Sequence, residues 1–174
     1  MTARGAVALR PATADDAPFL ERLYASTRDD LLALPLPVPA RTALVAQQHR
    51  ARTQQHAAAY PDASSQVVEL DGVAVGRLAV DHAEDELRVV DVALLPEHRG
   101  RGIGTTILRS VLARADDLAV PVTLQVAAGN PAQRLYGRLG FRPTADAQPG
   151  DGPAAYLTLL RPPREGDGQA KTAS

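Results

Sequence analysis

Strand-like and helix-like stretches can be separated along this chain by the spacing of their apolar positions. Ala6 to Arg10 reads as a short strand. Thr13 stands where it can cap a helix whose first turn carries Asp15 and Asp16 at the favourable end of the dipole, and that helix is expected to end near Ser26. Leu31 to Pro39 sets Pro35, Pro37 and Pro39 among leucines. Each proline removes a donor and disfavours helix before it, so this stretch is expected to be an irregular connector, apolar enough to pack over something. Ala40 to Ala59 has no glycine or proline and predicts a long helix, ended near Tyr60-Pro61, with Gln48, Arg52, Gln55 and Ala59 on one face.

Gln66 to Leu70 and Val73 to Asp81 flank Asp71-Gly72, the dipeptide suited to the positive φ values of a tight hairpin turn. The acidic stretch His82 to Glu86 is a turn. Leu87 to Leu95 is apolar apart from Arg88 and Asp91, which predicts a strand buried on both faces and central in its sheet. Ile103 to Ala115 is helical, with Ile103, Ile107, Leu108, Val111 and Leu112 on one stripe. Pro121 to Ala127 is a strand and Pro131 to Leu139 a helix, with Gly140 as its left-handed C′ residue. Phe141 to Thr144 and Ala154 to Leu160 supply the last strands. The order β α α β β β α β α β β predicts an α/β fold with a mixed sheet.

Composition narrows this picture mainly by exclusion. A length of 174 residues at 45% hydrophobic content fits one domain, expected over residues 1–161, and residues 162–174 lack the apolar content to order themselves. With 19 basic and 20 acidic residues the net charge of −1 gives no bulk attraction to nucleic acid or an anionic membrane. The absence of cysteine excludes disulfides, thiolate metal sites and a cysteine nucleophile, and four scattered histidines argue against a metal centre. Neither an apolar leader nor a membrane-length run is present, so a cytoplasmic location is expected.

The candidate chemistry begins at Arg99-Gly100-Arg101-Gly102-Ile103-Gly104, between the apolar strand and a helix. A glycine-rich turn entering a helix N-terminus points several backbone N–H groups at one place on the positive end of a dipole, which is what a phosphate needs. Arg99 and Arg101 can add charge-assisted bonds. The same turn can also arise from packing alone. A Walker site is excluded because no Gly-Lys-Ser/Thr follows, and the dinucleotide fingerprint because its third glycine falls at Thr105.

The run Val92 to Gly104 resembles the coenzyme A-binding motif of the GCN5-related N-acetyltransferases, Arg/Gln-x-x-Gly-x-Gly/Ala, with Arg99, Gly102 and Gly104 at the defining positions. That family's second motif is matched by Asn130, Leu135-Tyr136 and Leu139-Gly140-Phe141, and the likeness extends over roughly Val7 to Leu160. It implies a mostly antiparallel sheet with strands four and five splayed, flanked by about four helices. Acetyl-CoA is the implied acyl donor, with no metal. The backbone of Ala93 and Leu94 would bond the pantetheine arm; Gly100, Arg101, Gly102, Ile103, Gly104 and Thr105 would bond the pyrophosphate, with Arg99 and Asn130 as further cofactor contacts. Asn130 departs from the pattern, because its step to Tyr136 is one residue shorter than usual.

Acetyl transfer to an amine needs a neutral amine, a polarised thioester carbonyl and a proton for the departing thiolate. Tyr136 matches the family's general acid, and a phenol with a pKa of about 10 suits protonation of a thiolate; the alternative is a packing role. The Leu94 N–H is expected to polarise the carbonyl. For the base, Asp91 is the first candidate, either catalytic or paired with Arg88 or a neighbour; Glu86 and Glu97 follow. Gln125 stands where some relatives carry a catalytic Glu, and its amide cannot take a proton. Leu31 to Tyr60 is expected to wall the acceptor, with Arg52 either holding an acceptor carboxylate or simply solvated, and His49 and His56 are read as surface residues. These readings describe an N-acetyltransferase acting on a primary amine, of a small molecule or an amino-acid-like compound, as monomer or homodimer. A protein N-terminus or lysine as acceptor, and a non-catalytic coenzyme A-binding module, are the alternatives.

Overall fold

A computed structural model describes residues 5–144 and 156–164. The expected tail, residues 162–174, and the start of the last strand at Ala154 fall largely outside them. Among the described residues, five helices and seven strands follow one another as β1 (Val7–Pro11), α1 (Ala17–Ala25), α2 (Asp29–Leu32), α3 (Val38–Ala59), β2 (Ser64–Leu70), β3 (Val73–His82), β4 (Leu87–Leu94), α4 (Ile103–Leu118), β5 (Val122–Ala127), α5 (Ala132–Arg138), β6 (Arg142–Pro143) and β7 (Tyr156–Arg161). The strand order is β1-β2-β3-β4-β5-β7-β6, a mixed, mostly antiparallel α/β sheet. The chain forms two compact units, Met1–His82 with Arg88–Ile107, and Ala83–Leu87 with Leu108–Ser174.

In the first unit, β1 pairs antiparallel with β2 and β2 with β3. The β2–β3 turn takes the expected form: Asp71 and Gly72 have φ of 52° and 80°. Asp71 also accepts the Ala6 N–H at 2.8 Å, tying the hairpin to β1. The β2–β3 register slips at Val68/Glu69, where Val68 faces Gly76 and Glu69 faces Ala74, so Val75 is the extra residue of a bulge.

The entry to α1 differs in detail from the expected cap. A 3-10 turn, Ala14–Asp16, precedes the helix, and the carboxylate of Asp16 accepts the Thr13 N–H at 2.8 Å. The guanidinium of Arg10 clamps Asp16 with two bonds of 2.8 Å and donates through Nε to Glu69 at 2.7 Å. Phe19 and Leu23 of α1 then pack on Val67 and Leu95.

The connector is more helical than its prolines suggested. Leu31 and Leu32 close α2, and α3 begins at Val38 with Pro39 inside its first turn, where a missing N–H costs nothing. Leu31 does pack, in a cluster with Tyr24 and Val45. Strand β4 departs from the expectation of burial on both faces: Leu87 and Val89 are buried, whereas Arg88 and every residue from Val90 to Leu94 are only half-buried.

In the second unit, β7 pairs antiparallel with β5 and with β6. Leu108, Val111 and Leu112, three of the five residues of the predicted α4 stripe, are buried here, as are Ala115, Val122, Leu124, Val126 and Leu159; the other two, Ile103 and Ile107, are buried in the first unit. The Arg161 guanidinium, 4% exposed, is neutralised by Asp116.

Candidate cofactor and acceptor site

The glycine turn is built as a phosphate cradle requires. Gly100 and Gly102 have φ of 71° and 83°, values that a side chain disfavours. Gly102 is the true N-cap of α4, because its carbonyl accepts the Thr106 N–H at 3.0 Å. The next N–H groups, of Ile103, Gly104 and Thr105, therefore have no acceptor within the helix. A Cβ on Gly100 would meet nothing within 4 Å, so its glycine answers to backbone conformation and leaves open space beside the turn. Gly100, Arg101 and Gly102 are all exposed. The turn, the helix end and the free space together fit a pyrophosphate.

Arg99 is placed differently from a phosphate ligand. Its Nε donates to the Leu94 carbonyl at 2.9 Å and its Nη2 to the Ser26 carbonyl at 3.3 Å, so it laces the end of β4 to the end of α1. Exposed Arg101 is the cation left on the turn itself. Glu97 is exposed on the short 3-10 turn Pro96–His98.

Strand β4 is held against β3 by a residue that the sequence reading passed over. A Cβ on Gly76 would lie 2.5 Å from the Ala93 carbonyl oxygen and 2.5 Å from the Leu94 side chain, so only glycine admits this approach. The Leu95 N–H donates to the Val75 carbonyl, in the bulge, at 2.9 Å. Ala93 thus turns its carbonyl toward β3, and by the alternation of a strand the Leu94 N–H points away from it. Glycine inside a strand was the available signal.

Asp91 sits among cations. Its Oδ1 receives Arg52 of α3 at 3.2 Å and its Oδ2 lies 3.5 Å from Arg77 of β3, with 19% of its side chain exposed. A guanidinium thus stands at each carboxylate oxygen of Asp91, from Arg52 and Arg77. His49 and His56 also belong here and are half-buried, which corrects their reading as surface residues. His49 stacks on Tyr24 with ring centres 5.1 Å apart, and His56 meets Tyr60 edge-on. Burial, reinforced by Arg77 at His49 and by Arg52 at His56, holds both imidazoles below the usual pKa and so neutral at pH 7. Tyr60 is in turn covered by the Arg88 guanidinium, 5.7 Å from its ring centre.

In the second unit, Tyr136 is 7% exposed. Helix α5 ends in a Schellman motif: the Phe141 N–H bonds the Tyr136 carbonyl at 3.1 Å, the Gly140 N–H bonds that of Gly137 at 3.2 Å, and Gly140 has φ 93°. The same motif sets the Phe141 ring edge-on against Tyr136, with ring centres 5.9 Å apart. Asn130, just before α5, spends its side-chain oxygen on the Ala132 N–H at 2.9 Å. Glu86 accepts the Thr123 hydroxyl at 3.0 Å. Gln125 is exposed on β5.

These features define an α/β protein that offers a glycine turn and a helix N-terminus to an anionic cofactor. Among known proteins, the Acetyltransferase (GNAT) family profile matches residues 23–141, and the chain belongs to that family. A putative ribosomal protein bS18-alanine N-acetyltransferase from Bacillus subtilis is 35% identical over 86 residues, 48% of this chain and 56% of that protein. The chain therefore matches little more than half the length of that curated relative. An acetyltransferase structure from Thermus thermophilus is 26% identical with a TM-score of 0.62, covering 90% of this chain and 96% of that one. The PaiA N-acetyltransferase of Thermoplasma acidophilum, solved with coenzyme A, shares the fold at 14% identity, with a TM-score of 0.65 over 90% of this chain and 99% of its own.

Proposed function

We propose that this protein is an acetyl-CoA-dependent N-acetyltransferase that moves the acetyl group directly to a primary amine of a small or amino-acid-like molecule. The observation that carries this reading is the Gly100–Gly102 turn, whose positive φ values and N-capping glycine leave the N–H groups of Ile103, Gly104 and Thr105 to an anion. In the reaction the amine nitrogen attacks the thioester carbonyl, a tetrahedral intermediate forms, and the C–S bond breaks to give an amide and a thiolate. The Leu94 N–H, directed away from β3, is the proposed donor to the carbonyl oxygen, and Tyr136 the proposed donor of a proton to the thiolate. Asp91 serves better as an anchor for Arg52 and Arg77 than as the base, so proton loss from the amine is assigned to solvent.

The likeness to a ribosomal protein alanine N-acetyltransferase favours a second reading, in which the acceptor is a protein N-terminus. Thiol release from acetyl-CoA, followed across free amines and peptides beginning with alanine, separates the two. Gly102→Glu sets a carboxylate at the helix N-terminus and is expected to abolish coenzyme A binding by calorimetry; unchanged affinity refutes the cradle. Tyr136→Phe should lower kcat by about 10²-fold or more while leaving cofactor affinity intact. Coenzyme A binding without thiol release from any amine would instead mark a non-catalytic binding module.

A further inference from the structure

The line of α3 that meets Asp91 of β4 runs from buried Val45 through half-buried His49 and exposed Arg52 to half-buried His56. Val45, His49, Arg52 and His56 follow one another at helical spacing, yet only Val45 is buried hydrocarbon. The two half-buried imidazoles stand where an apolar residue would pack at lower cost.

The cluster carries one carboxylate against two guanidinium groups. Asp91 takes a single 3.2 Å bond from Arg52, and Arg77 approaches its other oxygen at 3.5 Å. Arg52 is 43% exposed and has donors to spare. Arg77 is only 16% exposed, and its Nε is buried with no hydrogen-bond partner among the described residues. A cationic donor in that condition is costly unless something completes its bonding. His49 and His56 are neutral, and the carboxylate of Glu21 on α1, which acts on His49, makes no ion pair with Arg52 or Arg77, so among the described residues Asp91 is the carboxylate bonded to both guanidinium groups.

We propose that Arg52 and Arg77, held in place by Asp91, bind a carboxylate of the acceptor, making the substrate an amine that also bears a carboxylate. The inference rests on the acetyl-transfer reading above and names its substrate class. A carboxylate suits the site because guanidinium groups grip it with paired, charge-assisted bonds. The spacing is suitable as well. Asp91 and Ala93 lie on one face of β4, two residues or about 7 Å apart along the strand. An acceptor anchored beside Asp91 therefore places an amine near Leu94 if a short chain separates its two ends.

The test uses matched pairs, the ω-amino acids from glycine to 6-aminohexanoate and their amides, with acetyl-CoA and thiol release as readout. At one chain length the acid should exceed its amide by about tenfold or more in kcat/KM. Arg52→Gln, a change at an exposed position, should erase that preference by raising KM for the acid and not for the amide. Equal rates for acid and amide, or a preference that survives both Arg52→Gln and Arg77→Gln, overturn the inference while acetyl transfer stands. If none of these acids or amides is turned over, acetyl transfer is judged on the wider panel of amines and peptides above, and equilibrium binding of the same pairs to the coenzyme A-loaded protein decides the inference: acid-selective binding lost in Arg52→Gln upholds the anion site, and equal binding overturns it.

Discussion

At the residue scale, Gly76 shows how one missing methyl group positions a site. The Ala93 carbonyl and the Leu94 side chain occupy the space a Cβ would need, at 2.5 Å each. One of these neighbours is backbone, so relief requires β4 itself to move. Gly76→Ala is expected to destabilise the protein by about 1–3 kcal/mol in chemical denaturation. It should also weaken acetyl-CoA use, because it displaces the strand that carries Leu94. A variant with wild-type stability would show that β3 and β4 are not in this contact. The sequence displayed Gly76 plainly, but nothing local to it says which neighbour approaches.

At the element scale, the Leu139-Gly140-Phe141 sequence acquires a mechanical meaning. The Schellman motif stops α5 and swings Phe141 back onto Tyr136. Gly140→Ala forces a side chain into φ 93° and is expected to cost about 1–2 kcal/mol. Phe141→Ala removes the ring packed edge-on against Tyr136 and should lower kcat more than it raises KM for acetyl-CoA, a split that steady-state kinetics can read. An unchanged kcat would mean that Tyr136 needs no such support, or does no chemistry. The C′ glycine was legible from the sequence because its constraint is local. The polar inner line of α3 was not. Arg52 was seen, but on a face shared with Gln48 and Gln55, and the two histidines were assigned to solvent; only the position of β3 and β4 shows which side of the helix is inside.

At the scale of the whole molecule, the shifted carboxylates and histidines act on stability in one direction. Hydrogen bonds from Arg10 and from the Thr13 N–H hold Asp16 far below the usual carboxylate range, and Arg28 and Arg161 lower Asp30 and Asp116. A carboxyl group depressed in the folded state stabilises above its unfolded pKa, and that contribution is lost as pH falls below about 4. His49 and His56 are depressed too, so the unfolded chain takes up their protons first, and stability falls as pH drops below about 6.5. The thermal midpoint should therefore be highest above pH 7, lower at pH 5 and lower again at pH 3. A midpoint that rises on acidification from pH 7 to 5 would contradict the neutral, half-buried state of both imidazoles.

Features governed by neighbours along the chain could be read without a fold: the Asp71-Gly72 turn, the amphipathic stripe of α4, the left-handed end of α5, and the glycine turn whose φ values suit an anion. These follow from φ preferences and periodicity, which act over a few residues. Folding was needed for the features that depend on distant partners. It turned Arg99 to the carbonyls of Leu94 and Ser26, gave Asp91 two arginines, and set Gly76 against β4. Side-chain charge and shape are written in the sequence, but the bonds they make depend on which elements the fold brings within about 3 Å, and no local pattern specifies that.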